Sequence, residues 1–223
     1  MVWHLDATLE GQKPPVLRMI ISGEGGSGKS KVIQTISAAF RQKGVYHLLQ
    51  KTAYTGIAAS LIDGKTMHSL TGMSIGKKGK ISSEAKKRLQ RTWACKKYLI
   101  IDESSMLGKA FLAKFANKVS CGQNQADANW EGWEDLNIIL CGDFHQFPPV
   151  ALPRKETLYV PTEDNDPVVH RHVSRQIYET FNMVVLLKEQ KRVYDEVWYQ
   201  FLRRLRNGNI TKEDISMLRS LVL

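Results

Sequence analysis

Residues 23–30 read Gly-Glu-Gly-Gly-Ser-Gly-Lys-Ser, a glycine-rich run that closes on a lysine and a hydroxyl. This is the G-x-x-x-x-G-K-[ST] spacing of a phosphate loop. Gly23, Glu24, Gly25, Gly26, Ser27 and Gly28 would turn their backbone N–H groups inward onto phosphate oxygens at the positive end of a following helix. Lys29 would reach the β- and γ-phosphates, and the Ser30 hydroxyl would ligate Mg²⁺. The chemistry implied is binding of a nucleoside triphosphate.

Two further segments could act on that ligand. Tyr98-Leu99-Ile100-Ile101-Asp102-Glu103 is an apolar run ending in two acids. Asp102 could hold the metal through water, and Glu103 could orient and deprotonate an attacking water. Cys141-Gly142-Asp143-Phe144-His145-Gln146-Phe147-Pro148-Pro149 puts a neutral amide, Gln146, just beyond a second apolar run. An amide that bonds a γ-phosphate and loses that bond on hydrolysis is a sensor. A third block, Lys51-Thr52-Ala53-Tyr54-Thr55-Gly56-Ile57-Ala58-Ala59 through Gly64-Lys65-Thr66-Met67-His68-Ser69, carries small hydroxyl residues at a helix start. These suit a phosphodiester backbone, although a capped helix and a packed histidine would read the same way.

The elements that must position these residues alternate between strand and helix. Val16–Ile21, Val45–Gln50, Tyr98–Ile101, Leu136–Cys141 and Met183–Leu187 read as strands. Helices are predicted near 30–41, 55–62, 83–93, 108–118 and 168–180. That alternation predicts parallel βαβ units with the site at the carboxyl ends of the strands. Residues 120–135 (with Gly122, Asn124, Asn129 and Gly132) and 151–167 read as polar loops. From Asp195 the chain reads as helical, with a break at Asn207-Gly208-Asn209 and a new helix capped by Thr211, with Glu213-Asp214 following.

Composition narrows the classes. A chain of 223 residues with 43% hydrophobic and 24% charged residues can bury a sizeable core. No apolar run approaches the ~20 residues that span a bilayer, so no membrane partner is expected. Cys95, Cys121 and Cys141 lack the paired spacing of a zinc site or disulfide framework, which suits an intracellular protein, nuclear or mitochondrial in a eukaryote. The net charge of +10, concentrated partly in Lys77, Lys78, Lys80, Lys86, Lys87, Arg88, Arg91, Lys96 and Lys97, fits a polyanionic partner or a solvated face.

With these blocks in this order, the chain resembles the Pif-one (petite integration frequency) family of superfamily 1B DNA helicases, over roughly residues 16–222. Leu187-Lys188-Glu189-Gln190-Lys191-Arg192-Val193 resembles the family's fourth motif, and Phe201–Gly208 the helix that follows it. The resemblance implies a three-layer α/β RecA-like P-loop NTPase fold with a mostly parallel central sheet. It implies ATP with Mg²⁺ as the substrate, with Lys29, Ser30, Asp102, Glu103 and Gln146 in the roles above. Arg192 would stabilise charge at the γ-phosphate. Thr52, Thr55, Gly56, His68 and Phe147 would face single-stranded DNA, held by backbone charge and stacking.

The same resemblance divides the chain into an extension (1–15), a first motor domain (16–194) and a helical segment (195–223) leading to a second RecA-like domain that this chain does not contain. Gln12 stands nearer Gly23 than the family's adenine-reading glutamine, and Ser27 replaces a common threonine. The expected parent activity is ATP-driven translocation on single-stranded DNA, 5′ to 3′, with unwinding. One rival is an ATP- and DNA-binding module without motor activity. Another is a P-loop enzyme outside the helicases, which would leave the 51–69 and 142–149 blocks without a purpose.

Overall fold

In a computed structural model, residues 1–73, 82–123 and 135–221 are described. The apolar run Tyr98-Leu99-Ile100-Ile101 becomes the buried strand β4 (Tyr98–Asp102). Such a run has no polar face to offer water, which suits the inside of a sheet covered on both sides. Among the described residues six strands are ordered β3-β2-β4-β5-β1-β6 and all pair in parallel, with β1 at Arg18–Gly23, β2 at Leu49–Ala53, β3 at Lys65–Thr66, β5 at Asn137–Gly142 and β6 at Met183–Leu187.

Strand periodicity assigns the two faces. Ile20, Leu99, Ile101, Ile138 and Leu140 join one buried cluster, while Met19, Ile21, Tyr98, Ile100, Ile139 and Cys141 join the other. The first face is covered by α4 (Met67–Thr71), α5 (Ser83–Trp93), α6 (Lys109–Gly122) and α7 (Val169–Glu179), through Leu70, Trp93, Phe115, Val119 and Ile177. The second is covered by α1 (Val2–Leu9) and α2 (Lys29–Gln42), through Leu5, Ile33, Ile36 and Phe40. Helix, sheet and helix make three layers. The first cover includes Trp93 and Phe115, fully buried and edge-on at 6.2 Å, each contributing about 2–3 kcal/mol through burial.

Several expectations need correction. Val45–Gln50 is not one strand. The chain leaves α2 through Gly44 (φ 71°), makes a 3₁₀ turn over Tyr46–Leu48, and enters β2 only at Leu49, opposite Tyr98. The polar letters Lys51 and Thr52 hide the strand, because Lys51 is buried against the Tyr46 ring and Asp63 and Thr52 is tied to Lys65. The residues before β1 carry an unforeseen helix, α1. Its His4 Nδ1 lies 2.9 Å from the Tyr98 hydroxyl and its Nε2 lies 2.9 Å from the Pro15 carbonyl.

α6 runs on to Gly122, inside the segment read as a loop, and ends where only a glycine fits. A Cβ would stand 2.7 Å from Trp93 Cδ1 and 3.0 Å from the Leu89 carbonyl. Asn124, Asn129, Gly132 and Lys77, Lys78 and Lys80 lie outside the described residues. The 151–167 segment is pinned, since buried Glu156 and Asp166 both accept from Arg171, at 2.7 Å and 2.7–3.0 Å. The C-terminal helices α8 (Glu196–Arg206) and α9 (Lys212–Ser220) part at Gly208 (φ 72°), and Thr211 and Asp214 form a reciprocal capping box. No helix among the described residues is long and apolar enough to cross a membrane.

Candidate nucleotide and DNA site

Because all strands run the same way, the loops after β1, β2, β4, β5 and β6 leave one edge of the sheet. Register brings their ends level: Ser22 lies opposite Gly142, Gly23 opposite Leu187 and Ala53 opposite Asp102.

The loop after β1 turns through Gly26 (φ 90°) and Gly28 (φ 92°) into α2, backbone that side-chain-bearing residues rarely adopt. Lys29 folds back over it, donating from Nζ to the carbonyls of Gly23 (2.7 Å) and Glu24 (3.1 Å). Ser30 lies in the first turn of α2. Asp102, at the end of β4, is 5% exposed. Burial pushes its carboxyl up to about 6, and the neighbouring Glu103 charge adds to that. The Glu103 N–H (3.0 Å to Oδ1) and the Lys29 charge pull the other way. Glu103 itself sits in left-handed backbone (φ 53°) where β4 breaks into a 3₁₀ turn. Strain of about 1–3 kcal/mol at such a residue is tolerated where the surroundings hold it and often marks a functional position.

After β5, Gly142 lets the chain pass against Ser104, whose N would lie 3.1 Å from a Cβ there. Asp143 Oδ1 accepts the His145 N–H (3.1 Å) and the Asp143 carbonyl accepts the Gln146 N–H (2.9 Å), a tight turn that presents Gln146. Gln146 Nε2 ends 2.9 Å from where a Cβ on Gly25 would be. The fourth segment closes from the β6 side. Gln190 Nε2 donates to the Gly25 carbonyl (2.8 Å), the Lys191 N–H to the Gly26 carbonyl (2.9 Å) and the Arg192 N–H to Gln190 Oε1 (2.9 Å). Thus the Lys29, Gln146 and Gln190 side chains converge on the loop from the ends of β1, β5 and β6, with the Arg192 backbone beside them. Two clefts of about 400 Å³ flank it, one along α2 with Lys31 and Lys191, the other between Glu24, Leu187, Tyr199 and Arg206.

Residues not singled out in the sequence complete this site. Asp143, 1% exposed, receives both Nη groups of Arg206 at 2.6 Å, and Arg206 Nε lies 3.6 Å from Glu24 Oε1. Burial would raise the Asp143 carboxyl, but the Arg206 bonds and charge hold it below the usual range. The Gly-Asp pair was visible in the sequence; nothing in the spacing says that Arg206, rather than Arg203 or Arg204, is its partner. Gln190 was visible only as part of the fourth motif.

The surface beyond β2 is mixed. Thr55 caps α3 (Gly56–Leu61), accepting from the Ala58 N–H, and Gly56 and Ile57 are exposed. His68 packs at 4.8 Å on Phe111, which meets Tyr54 edge-on at 5.3 Å. Phe147 is 77% exposed. Thr52 departs from the expected exposed position: it is fully buried and its hydroxyl donates to the Lys65 carbonyl (2.7 Å), tying β3 to β2.

As for a metal, no group of three or more His, Cys, Asp or Glu among the described residues could hold an ion alone. One carboxylate and one hydroxyl, Asp102 and Ser30, suit Mg²⁺, which takes one or two protein oxygens and completes its shell with water and phosphate.

The fold and this edge define a RecA-like P-loop nucleotide-binding domain. The chain belongs to the PIF1-like helicase family, whose profile matches residues 11–216. An ATP-dependent DNA helicase PIF1 of Danio rerio is 29% identical over 217 residues, covering 96% of this chain and 30% of the relative. The crystal structure of Pif1 helicase from Candida albicans superposes with a TM-score of 0.65 at 27% identity, covering 95% of this chain and 44% of that one. A Bacteroides Pif1 in complex with ADP-AlF3 and ssDNA gives 0.62 at 21% identity, covering 96% and 48%. The chain therefore spans less than half of each of these relatives.

Proposed function

We propose that this chain is the first motor domain of an ATP-dependent DNA helicase. In this reading it couples hydrolysis of ATP with Mg²⁺ to translocation on single-stranded DNA and to unwinding, 5′ to 3′. The observation that carries the reading is the meeting on one glycine loop of Lys29, the sensor amide of Gln146 and the 190–192 segment, with the Asp102-Glu103 pair ending the adjacent strand β4.

In this mechanism Lys29 leaves the Gly23 and Glu24 carbonyls for the β- and γ-phosphates, and Glu103 accepts a proton from the attacking water. Ser30 and Asp102 would hold Mg²⁺, which neutralises phosphate charge when bound. Gln146 bonds the γ-phosphate and shifts when it leaves, and Phe147 beside it carries that shift toward the strand. Arg192 adds positive charge in the transition state. Thr55, Gly56, His68 and Phe147 line the DNA path, with exposed Ile57 beside them; Thr52 is not among them.

The Bacteroides relative solved with ADP-AlF3 and ssDNA supports both ligands. Residues 16–194 would be the motor domain, 1–15 an extension packed on its core and 195–223 the lead into a second RecA-like domain closing the nucleotide cleft. We place the protein where DNA is handled inside the cell.

The test is steady-state ATP hydrolysis with and without single-stranded DNA, beside Lys29→Ala. DNA-stimulated turnover lost in Lys29→Ala is the expected result. Lys29-dependent ATP binding with no turnover would instead mark an ATP- and DNA-binding module. Binding indifferent to both DNA and Lys29 would overturn the reading.

A further inference from the structure

Asp143 and the end of α8 meet outside the phosphate loop. Asp143 is a buried carboxylate three residues before the sensor amide, and its Oδ1 holds the turn that presents Gln146. Its principal counter-charge comes from neither the loop nor the sheet. It comes from the last residue of a helix more than sixty positions later, through a two-pronged bond from Arg206 at 2.6 Å on each prong. The same guanidinium also reaches Glu24 in the phosphate loop, at 3.6 Å.

Lys29 stands on that same loop, with its Nζ on the Gly23 and Glu24 carbonyls, and its charge also bears on Asp143. A buried carboxylate left without Arg206 would therefore turn to the ammonium that the phosphates need. Two jobs fall to one side chain. It cancels a charge that competes for Lys29, and it fixes the turn carrying Gln146.

We propose that Arg206 is a positioning residue of the nucleotide site, which neutralises Asp143 so that Lys29 stays available to phosphate and α8 is locked to the sensor turn. The inference rests on the reading of this edge as an ATP site. It assigns to α8 a direct part in nucleotide affinity. It also gives the nucleotide site a mechanical link to whatever follows α8 in the chain, because a change at the sensor turn pulls on Arg206.

A double-mutant cycle separates charge compensation from simple anchoring. The readout is the dissociation constant of a fluorescent N-methylanthraniloyl ATP with Mg²⁺, measured on the full chain. Arg206→Gln is expected to weaken binding about tenfold, since Asp143 then competes for Lys29. Asp143→Asn added to Arg206→Gln removes that competing charge while the Asn oxygen still accepts the His145 N–H. Affinity is then expected to return to within about threefold of the unmodified chain. A purely structural bond predicts the opposite, because both variants lack it equally.

Arg204→Gln, which breaks the α8–α9 pair to Asp214 on the same helix, is expected to leave the constant unchanged. Where Arg206→Gln costs the fold, the comparison is made with the uncharged, similarly long Arg206→Met, alone and with Asp143→Asn. Unchanged binding in the Arg206 variant, or no recovery in the double variant, overturns the inference. Lys29→Ala alongside distinguishes the failures: binding indifferent to Lys29 overturns the ATP-site reading together with this one, whereas Lys29-dependent binding without recovery overturns this one alone.

Discussion

Two neighbouring glycines of the phosphate loop should respond very differently to alanine. At Gly26 (φ 90°) a Cβ would strike Gln190 Oε1 and stand 2.8 Å from Arg192 Cβ. Left-handed backbone costs a residue with a Cβ about 1–2 kcal/mol. Displacing the 190–192 segment forfeits the Gln190 bond to Gly25 and the Lys191 bond to Gly26, each worth ~1 kcal/mol. The sum is about 3 kcal/mol, or roughly a hundredfold in an equilibrium constant. Part of it falls on the free protein, so Gly26→Ala is expected to raise the dissociation constant for ATP between about tenfold and a hundredfold.

At Gly25 the φ is not in the left-handed region, and a Cβ meets only the far end of the exposed Gln146 side chain, at 2.9 Å. That amide can swing aside, and the expected change is under about threefold. Isothermal titration of ATP into the two variants decides the matter, with thermal unfolding alongside to show that both are folded. Equal effects at the two positions, or a larger one at Gly25, would refute the clamp geometry.

Other consequences are testable away from the loop. Gly122→Ala forces a methyl onto Trp93 in a closed core and is expected to destabilise by about 1–3 kcal/mol in denaturant unfolding, with ATP affinity unchanged. Asp214 is held below the usual carboxylate range by its Arg204 bonds (2.5 and 2.8 Å) and the Thr211 N–H. A depressed carboxyl contributes stability that is complete above its unfolded value near 3.8 and is lost as pH falls below it through the folded value. Arg204→Gln should therefore weaken the α8–α9 pair at neutral pH and flatten its acid unfolding below about pH 4, read by circular dichroism. Phe147→Ala is expected to weaken single-stranded DNA binding about tenfold, as loss of one stacking surface does. Thr52→Val should leave that binding unchanged and lower the melting temperature, because the Thr52 hydroxyl serves Lys65; fluorescence anisotropy with a short oligonucleotide checks both.

By itself the sequence determined the phosphate loop, the acid pair at the end of β4 and the α/β character. Each rests on local chemistry: glycines where positive φ is needed, acids closing an apolar strand, and helix caps such as Thr211 beside its partner Asp214. It misplaced β2 because buried Lys51 and Thr52 look like loop residues until the Asp63 and Lys65 partners fold beside them. It read Thr52 as exposed for the same reason. Only the tertiary structure decided that α6 extends to Gly122, where Trp93 occupies the space a Cβ would need. It also decided that Gln190 closes on Gly25 across 165 residues and that Arg206 answers the charge of Asp143 across 63. Such pairings leave no mark in spacing, because a parallel sheet sets its partners by strand order. Asp143 shows its charge in the sequence, but which arginine satisfies it is settled only once the end of α8 comes to the turn after β5.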